Sequence, residues 1–211
     1  MPLSIVIVSN EPPPEGLQLS EPHEFTIHWY VCLFADEPDD FQDVLDLCRR
    51  KRAVGILAGA APVWPLVAWV SEALGLVRVS VQLAQTMNDR GLLLERLRAS
   101  GVPTIPFRVA VTVDEAVRGA QALGEPVVVQ AVEGTEGARS RFVQYMPEVG
   151  LGYRQVTRDT GSKRVLITHP ASARRHSVWI YVHKGQVAMA LMADVEVDPR
   201  FMFPTSIAVP G

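Results

Sequence analysis

Apolar and polar positions follow two different periods along this chain, and the period changes at loops rich in proline and glycine. Residues 4–8 (SIVIV) form a short continuous apolar run, and residues 25–34 (FTIHWYVCLF) are dense in aromatic and β-branched side chains; both patterns predict strands. Residues 36–50 open on acids and close on Arg49 and Arg50, with Lys51 next, a charge order that suits the helix dipole. Residues 53–60 (AVGILAGA) predict another strand, and residues 65–75 a helix closed by Gly75. Strands alternating with helices in this way imply a parallel sheet under covering helices over the first eighty residues.

A second unit begins near Ser80. Over residues 81–101, Leu83, Met87, Leu93, Leu94 and Leu97 recur along one side of helical segments that end at Gly101. Prolines at 103 and 106 forbid helix, so residues 102–111 are extended. Residues 112–124 predict a helix, with Thr112 as N-cap and Glu115 three positions later. A strand at 126–132 (PVVVQAV) runs into a glycine-containing loop and returns at 141–145. A helix over 146–158 follows, although Gly150 and Gly152 are poor residues for a helix interior. Strands are expected at 163–169, 176–185 and 186–197, the last two joined through a tight HKGQ turn, and the tail from 201 is extended. The boundaries are 1–80 for an α/β domain and 81–211 for an α+β subdomain.

Composition narrows the class. In 211 residues, 48 % are apolar and 20 % charged, which is ordinary for a globular protein with a full core. A formal charge of −3 with no basic run argues against a nucleic-acid surface. The most apolar tract, residues 53–77, is broken by two prolines and Glu72, so it reads as strand, loop and buried helix, not a membrane span. The first residues carry no basic segment ahead of their short apolar run and read as a first strand, not a leader. The two cysteines, Cys32 and Cys48, have no metal-type spacing and are expected as buried free thiols. A cytoplasmic location is expected.

The order of local words then points to a family. Residues 88–137 read NDRGLLLERLRASGVPTIPFRVAVTVDEAVRGAQALGEPVVVQAVEGTEG, which resembles the ATP-grasp ligases. In that family a helix carrying an Asp-Lys-Gly word leads into "aaGVPvP", an "eA" helix and "lGyPvvvKP", which opens a glycine-rich loop over the phosphates. The resemblance extends over roughly residues 55–211. It implies a partial ATP-grasp architecture, a small N-terminal parallel-sheet domain plus the nucleotide-lid α+β subdomain. It also implies the chemistry of joining a carboxylate to a nucleophile through an acyl-phosphate made from ATP and Mg²⁺. There, lysines neutralise phosphate charge, loop amides cradle it, and a hinge strand pairs with the adenine edge.

Carried over position by position, this sequence departs from that pattern. The first phosphate lysine falls on Arg90, which keeps the charge on a longer, forked side chain. The second falls on Gln130, which can hydrogen-bond a phosphate but not neutralise it. The hinge word "vlvEEylpGpEyS" aligns without a gap to VLITHPASARRHS, so its paired glutamates fall on Thr168 and His169 and a later ribose-side glutamate on Arg175. The loop amides fall on Gly134, Thr135 and Gly137, with Arg139 and Arg141 beside them as replacement cations. The word EVDPR at 196–200 echoes the family's metal motif but sits just after the hairpin and reads as a charged turn, so no metal site is assigned.

Three readings follow. In the first, the chain is an ATP-grasp homologue that no longer forms acyl-phosphate alone and serves as a scaffold or partner subunit, with ATP and Mg as the conceivable cofactors. Its partner would be a second copy or a full-length ligase-type chain, with a small carboxylate as ligand, and neither nucleic acid nor membrane. In the second, it is an active biosynthetic enzyme, either a ligase completed across an oligomer or a repurposed cleft, with Arg90 and Arg175 as anion binders and His176 as proton donor. In the third, it is a small-molecule binding module that never meets nucleotide.

Overall fold

A computed structural model of the chain describes residues 2–13, 25–32, 38–76, 79–133, 140–170, 175–183, 185–198 and 203–208. The chain divides into two compact units, Met1–Leu93 and Leu94–Gly211.

The first unit contains a three-stranded parallel sheet of β1 (Leu3–Ser9), β2 (Phe25–Val31) and β3 (Ala53–Ala58) in the order β2-β1-β3. Helices α1 (Pro38–Lys51) and α2 (Trp64–Ala73) contribute Val44, Leu45, Cys48, Leu66 and Val70 to one core with Val6, Val8, Cys32 and Ile56 of the sheet. Residues 6, 8 and 56 point to one face because strand side chains alternate, which is why the apolar pattern of β1 buries every second residue most deeply. The expected charge order of α1 is present, with Asp39 and Asp40 in its first turn and Arg49, Arg50 and Lys51 in its last. Gly75 follows α2 at φ +66°, a conformation that only glycine adopts without cost. Cys32 and Cys48 are both free and buried, as expected.

The helical segments expected after Ser80 are two helices that meet at Asp89. Helix α3 (Val81–Asn88) is capped by Ser80, whose Oγ accepts from Leu83 N at 3.2 Å. Asp89 then takes an extended backbone, φ −109° and ψ 106°, which stops α3. The same residue starts α4 (Arg90–Ala99): its carbonyl accepts from Leu93 N at 2.8 Å and its Oδ1 from Leu92 N at 2.9 Å. This is the geometry of an N-cap carboxylate. Gly101, at φ +75°, closes the helix where the sequence places its end.

The second unit holds a four-stranded antiparallel sheet of β4 (Phe107–Ala110), β5 (Val127–Ala131), β6 (Ser140–Val143) and β7 (Val165–Thr168), in the order β4-β7-β5-β6. Helices α5 (Val113–Leu123) and α6 (Val149–Thr160) cover one face. The N-cap of α5 forms as predicted, Thr112 Oγ1 accepting from Glu115 N at 3.2 Å, while Glu115 Oε2 reaches back to accept from Val111 N at 2.8 Å. The two glycines of α6 have a packing reason. A β-carbon at Gly150 would lie 3.2 Å from Val113 Cγ1, and one at Gly152 would lie 3.1 Å from Val143 Cγ2. Glycine there brings α6 close to α5 and β6, and that close packing offsets its cost in a helix.

The chain ends in a three-stranded antiparallel sheet of β8 (Arg175–His183), β9 (Gln186–Asp198) and β10 (Phe203–Ala208), in the order β10-β9-β8. Residues 196–198 continue strand β9 and pair with β10, so the described part of the EVDPR word, expected as a turn, is extended strand. No helix of the described residues is long and apolar enough to cross a membrane.

Candidate functional site

Strand parity sorts the second unit's sheet into two faces. Val127, Val129, Ala131, Val143, Val165 and Ile167 point toward α5 and α6 and form the main core with them. The intervening residues point the other way: Val128, Gln130 and Val132 from β5 and its end, Leu166 and Thr168 from β7, Ser140 and Phe142 from β6. Phe107, Val132 and Leu166 form a second, smaller cluster on that face, with Leu94 of α4 packed against them. Arg98, one turn further along α4, stacks over the Phe107 ring at 4.8 Å.

Two of the predicted site residues share this second face. Gln130 stands opposite Ser140 on one side and Leu166 on the other, and Thr168 stands opposite Val128 and Phe107. Gln130 and Thr168 are therefore diagonal neighbours on adjacent strands, on the same face of the sheet. Thr168 is buried, with ladder partners on both sides, so His169 is the first residue past the sheet. Gln130 is half-buried and engaged in an interaction of its own.

The other predicted residues are placed by their own elements. Arg90 occupies the first position of α4, behind the buried carboxylate of Asp89 and ahead of buried Gly91, and belongs to the first unit. The Asp-Arg-Gly word is thus a helix start: the acid caps, the arginine begins the helix, and the glycine packs. Arg141 is not available as a replacement cation on the Gln130 face. Its Nη2 donates to Asp159 Oδ2 of α6 at 2.7 Å, which fixes it on the helix-covered side. Gly134, Thr135, Gly137 and Arg139 lie outside the described residues, as does the side chain of Arg175 and the 199–200 end of the EVDPR word.

His176 has a partner that sequence reading did not assign. In the β8–β9 ladder it stands directly opposite Asp194, and its Nδ1 lies 2.7 Å from Asp194 Oδ1. The carboxylate engages one ring nitrogen, and both side chains are substantially exposed, 45 % for His176 and 61 % for Asp194. The acidic alternation at 194, 196 and 198 was visible in the sequence. Its pairing with His176 required the hairpin register, which includes a bulge between Tyr181 and Val182. Among the described residues no group of three or more His, Cys, Asp or Glu side chains is assembled that could hold a metal ion.

No protein-family model matches the sequence. The chain is 30 % identical over 97 residues to the carbamoyl phosphate synthase large chain of Thermotoga maritima, a match covering 44 % of this chain and 9 % of that protein. Among solved structures it resembles L-amino acid ligase from Bacillus licheniformis, with TM-score 0.75 and 15 % identity, over 99 % of this chain and 55 % of the ligase. It also resembles biotin carboxylase from Campylobacter jejuni, solved with a β,γ-ATP ligand, with TM-score 0.68 and 15 % identity, over 95 % of this chain and 52 % of that one. The fold is therefore that of the ATP-grasp ligases, and the chain spans about half the length of these structures.

Proposed function

We propose that this chain is an ATP-grasp homologue that does not form an acyl-phosphate by itself and acts as a scaffold or partner subunit around a weakened anion-binding cleft. One observation carries the reading. Gln130 and Thr168, at the positions where the fold's phosphate lysine and hinge glutamate are expected, share one face of the β4-β7-β5-β6 sheet. An amide and a hydroxyl can hydrogen-bond a phosphate or a ribose, but they neutralise no charge and replace no carboxylate acceptor. Phosphoryl transfer depends almost wholly on positioning and charge neutralisation, so the loss falls on the step itself. Arg90, Arg175 and Arg139 supply the remaining cationic side chains. The amides of Gly134, Thr135 and Gly137 would cradle an anion, and His169 would offer backbone groups to an adenine edge. The described residues assemble no donor set fitting Mg²⁺. Two buried free thiols suit a reducing, cytoplasmic setting.

A second reading is favoured by the His176–Asp194 pair: an active enzyme in which His176 Nε2 donates a proton while Arg90 and Arg175 hold an anionic substrate, the site being completed by another chain.

Calorimetry with ATP, with and without Mg²⁺, distinguishes the readings. The first predicts weak, metal-independent binding that is lost in Arg90→Ala and strengthened about tenfold in Gln130→Lys, equivalent to about 1.4 kcal/mol. It also predicts no ADP release in the presence of carboxylate and amine mixtures. Mg²⁺-dependent ADP release by the isolated chain, abolished in His176→Ala, would overturn it in favour of the second.

A further inference from the structure

Two polar groups on the second face of the β4-β7-β5-β6 sheet are left unmatched. Thr168 is 3 % exposed, and its hydroxyl has no hydrogen-bond partner among the described residues. Buried side-chain polar groups are nearly always hydrogen-bonded, and an unmet hydroxyl costs free energy. The small surface that Thr168 keeps reaches this hydroxyl, because among the described residues no side-chain oxygen or nitrogen is both fully enclosed and without a partner. The second group is Arg98, in the last turn of α4, whose guanidinium lies over the Phe107 ring at 4.8 Å. That contact sets the cation's charge against the ring face and uses none of its five N–H donors. No carboxylate among the described residues pairs with it.

The two groups are brought together by Phe107. It stands directly opposite Thr168 in the β4–β7 ladder, and side chains opposed in an antiparallel pair share a face with Cβ atoms about 4.5–5.5 Å apart. The ring that positions the arginine is thus the cross-strand neighbour of the hydroxyl, and all three residues belong to the second unit. We propose that this end of the face binds an oxyanion, a carboxylate or a phosphate group, between the Arg98 guanidinium and the Thr168 hydroxyl. An oxyanion offers only acceptors, and both groups can donate to it, the guanidinium as a fork. A carboxylate at position 168, where the fold's hinge glutamate is expected, would repel such a ligand; threonine there donates instead. Stacking on Phe107 restrains Arg98 before the ligand arrives, which lowers the entropy lost on binding. The apolar neighbours Leu94, Val132 and Leu166 lower the local dielectric and strengthen a charge-assisted hydrogen bond. The inference rests on the reading of this face as an anion-binding cleft and supplies the cation that Gln130 does not.

Side-chain NMR of the full chain tests it. The Arg98 Nε–Hε resonance, assigned by its loss in Arg98→Lys, is followed during titration with pyrophosphate, ATP, succinate and adenosine, each without Mg²⁺. The expected result is a saturable shift with an oxyanion and none with adenosine. A shift with pyrophosphate and ATP alone identifies a phosphate group as the ligand, and a shift with succinate alone a carboxylate. Followed on the Phe107 amide, affinity should fall about tenfold or more in both Arg98→Ala and Thr168→Val. Without ligand, Thr168→Val should melt no lower than the parent, because valine keeps the shape and removes the unmet hydroxyl. A lower melting temperature would show that the hydroxyl holds the fold and would overturn the proposal. No shift with any of the three oxyanions at millimolar concentration, or an equal shift with adenosine, overturns it as well. ATP binding that is lost in Arg90→Ala but unchanged in Arg98→Ala and Thr168→Val would sink this inference and leave the functional reading standing. An Arg98 shift with succinate in a chain that binds no ATP would do the reverse.

Discussion

At the scale of single residues, burial sets the chemistry of the first unit. Cys48 lies in the core between α1 and the sheet, and desolvation pushes its thiol up to about 11 from an ordinary 9.0. Tyr30 is pushed up to about 12, by burial first and then by the nearby Asp43 and Asp40 carboxylates. Both groups are neutral in the folded state and ionise more readily when unfolded. Their contribution to stability is complete below the unfolded values, near 9 for the thiol, and is lost as pH rises through the folded ones. Thermal unfolding should therefore be insensitive to these groups at neutral pH and fall steadily from about pH 9 to pH 12. Cys48→Ala should remove part of that alkaline slope. An unchanged slope in the variant would show that the thiol does not ionise on unfolding in this range. The same burial predicts that neither Cys32 nor Cys48 reacts with a thiol reagent until the unit opens.

At the scale of elements, the helix ends are where sequence and structure agree most closely, because caps are local. Thr112, Gly75 and Gly101 each act where the sequence places them, and Ser80 adds a cap that it did not assign. Thr112→Ala should cost about 1 kcal/mol, since it leaves Glu115 N without its acceptor at the start of α5. Urea unfolding that resolves half that amount is sufficient to check it, and a neutral result would mean that Glu115 alone holds this turn. Non-local features were less legible. Gly150 and Gly152 read as helix-weakening because their benefit lies in Val113 and Val143, residues distant in sequence. The Asp89 break was hidden inside a continuous leucine pattern, although Asp89 is a residue type that caps. The candidate site divides in the same way. Gln130 and Thr168 could be named from the order of local words, but their shared face follows only from the β5–β7 register. Asp194 could be paired with His176 only once the hairpin's bulge was known.

At the scale of the whole molecule, apolar burial is distributed over cores that share no residue. The first unit's core gathers Val6, Val8, Leu66 and their neighbours, and the second unit's gathers Val129, Val149, Ile167 and theirs. Substitutions without shared partners act additively and stay local, and native-state hydrogen exchange reports the opening of each cooperative unit separately. Leu66 and Ile167 are among the largest fully buried side chains, one in each core. Truncation of either to alanine should cost about 2–5 kcal/mol. Leu66→Ala should accelerate amide exchange in β1 and β3 and leave β5 and β7 unchanged, and Ile167→Ala should do the reverse. Acceleration of all four strands by either substitution would mean that the two units unfold as one. In that case the β4-β7-β5-β6 sheet could not be loosened or rebuilt without the first unit, and Gln130→Lys would have to be assayed for folding of the whole chain before any effect on ATP binding was interpreted.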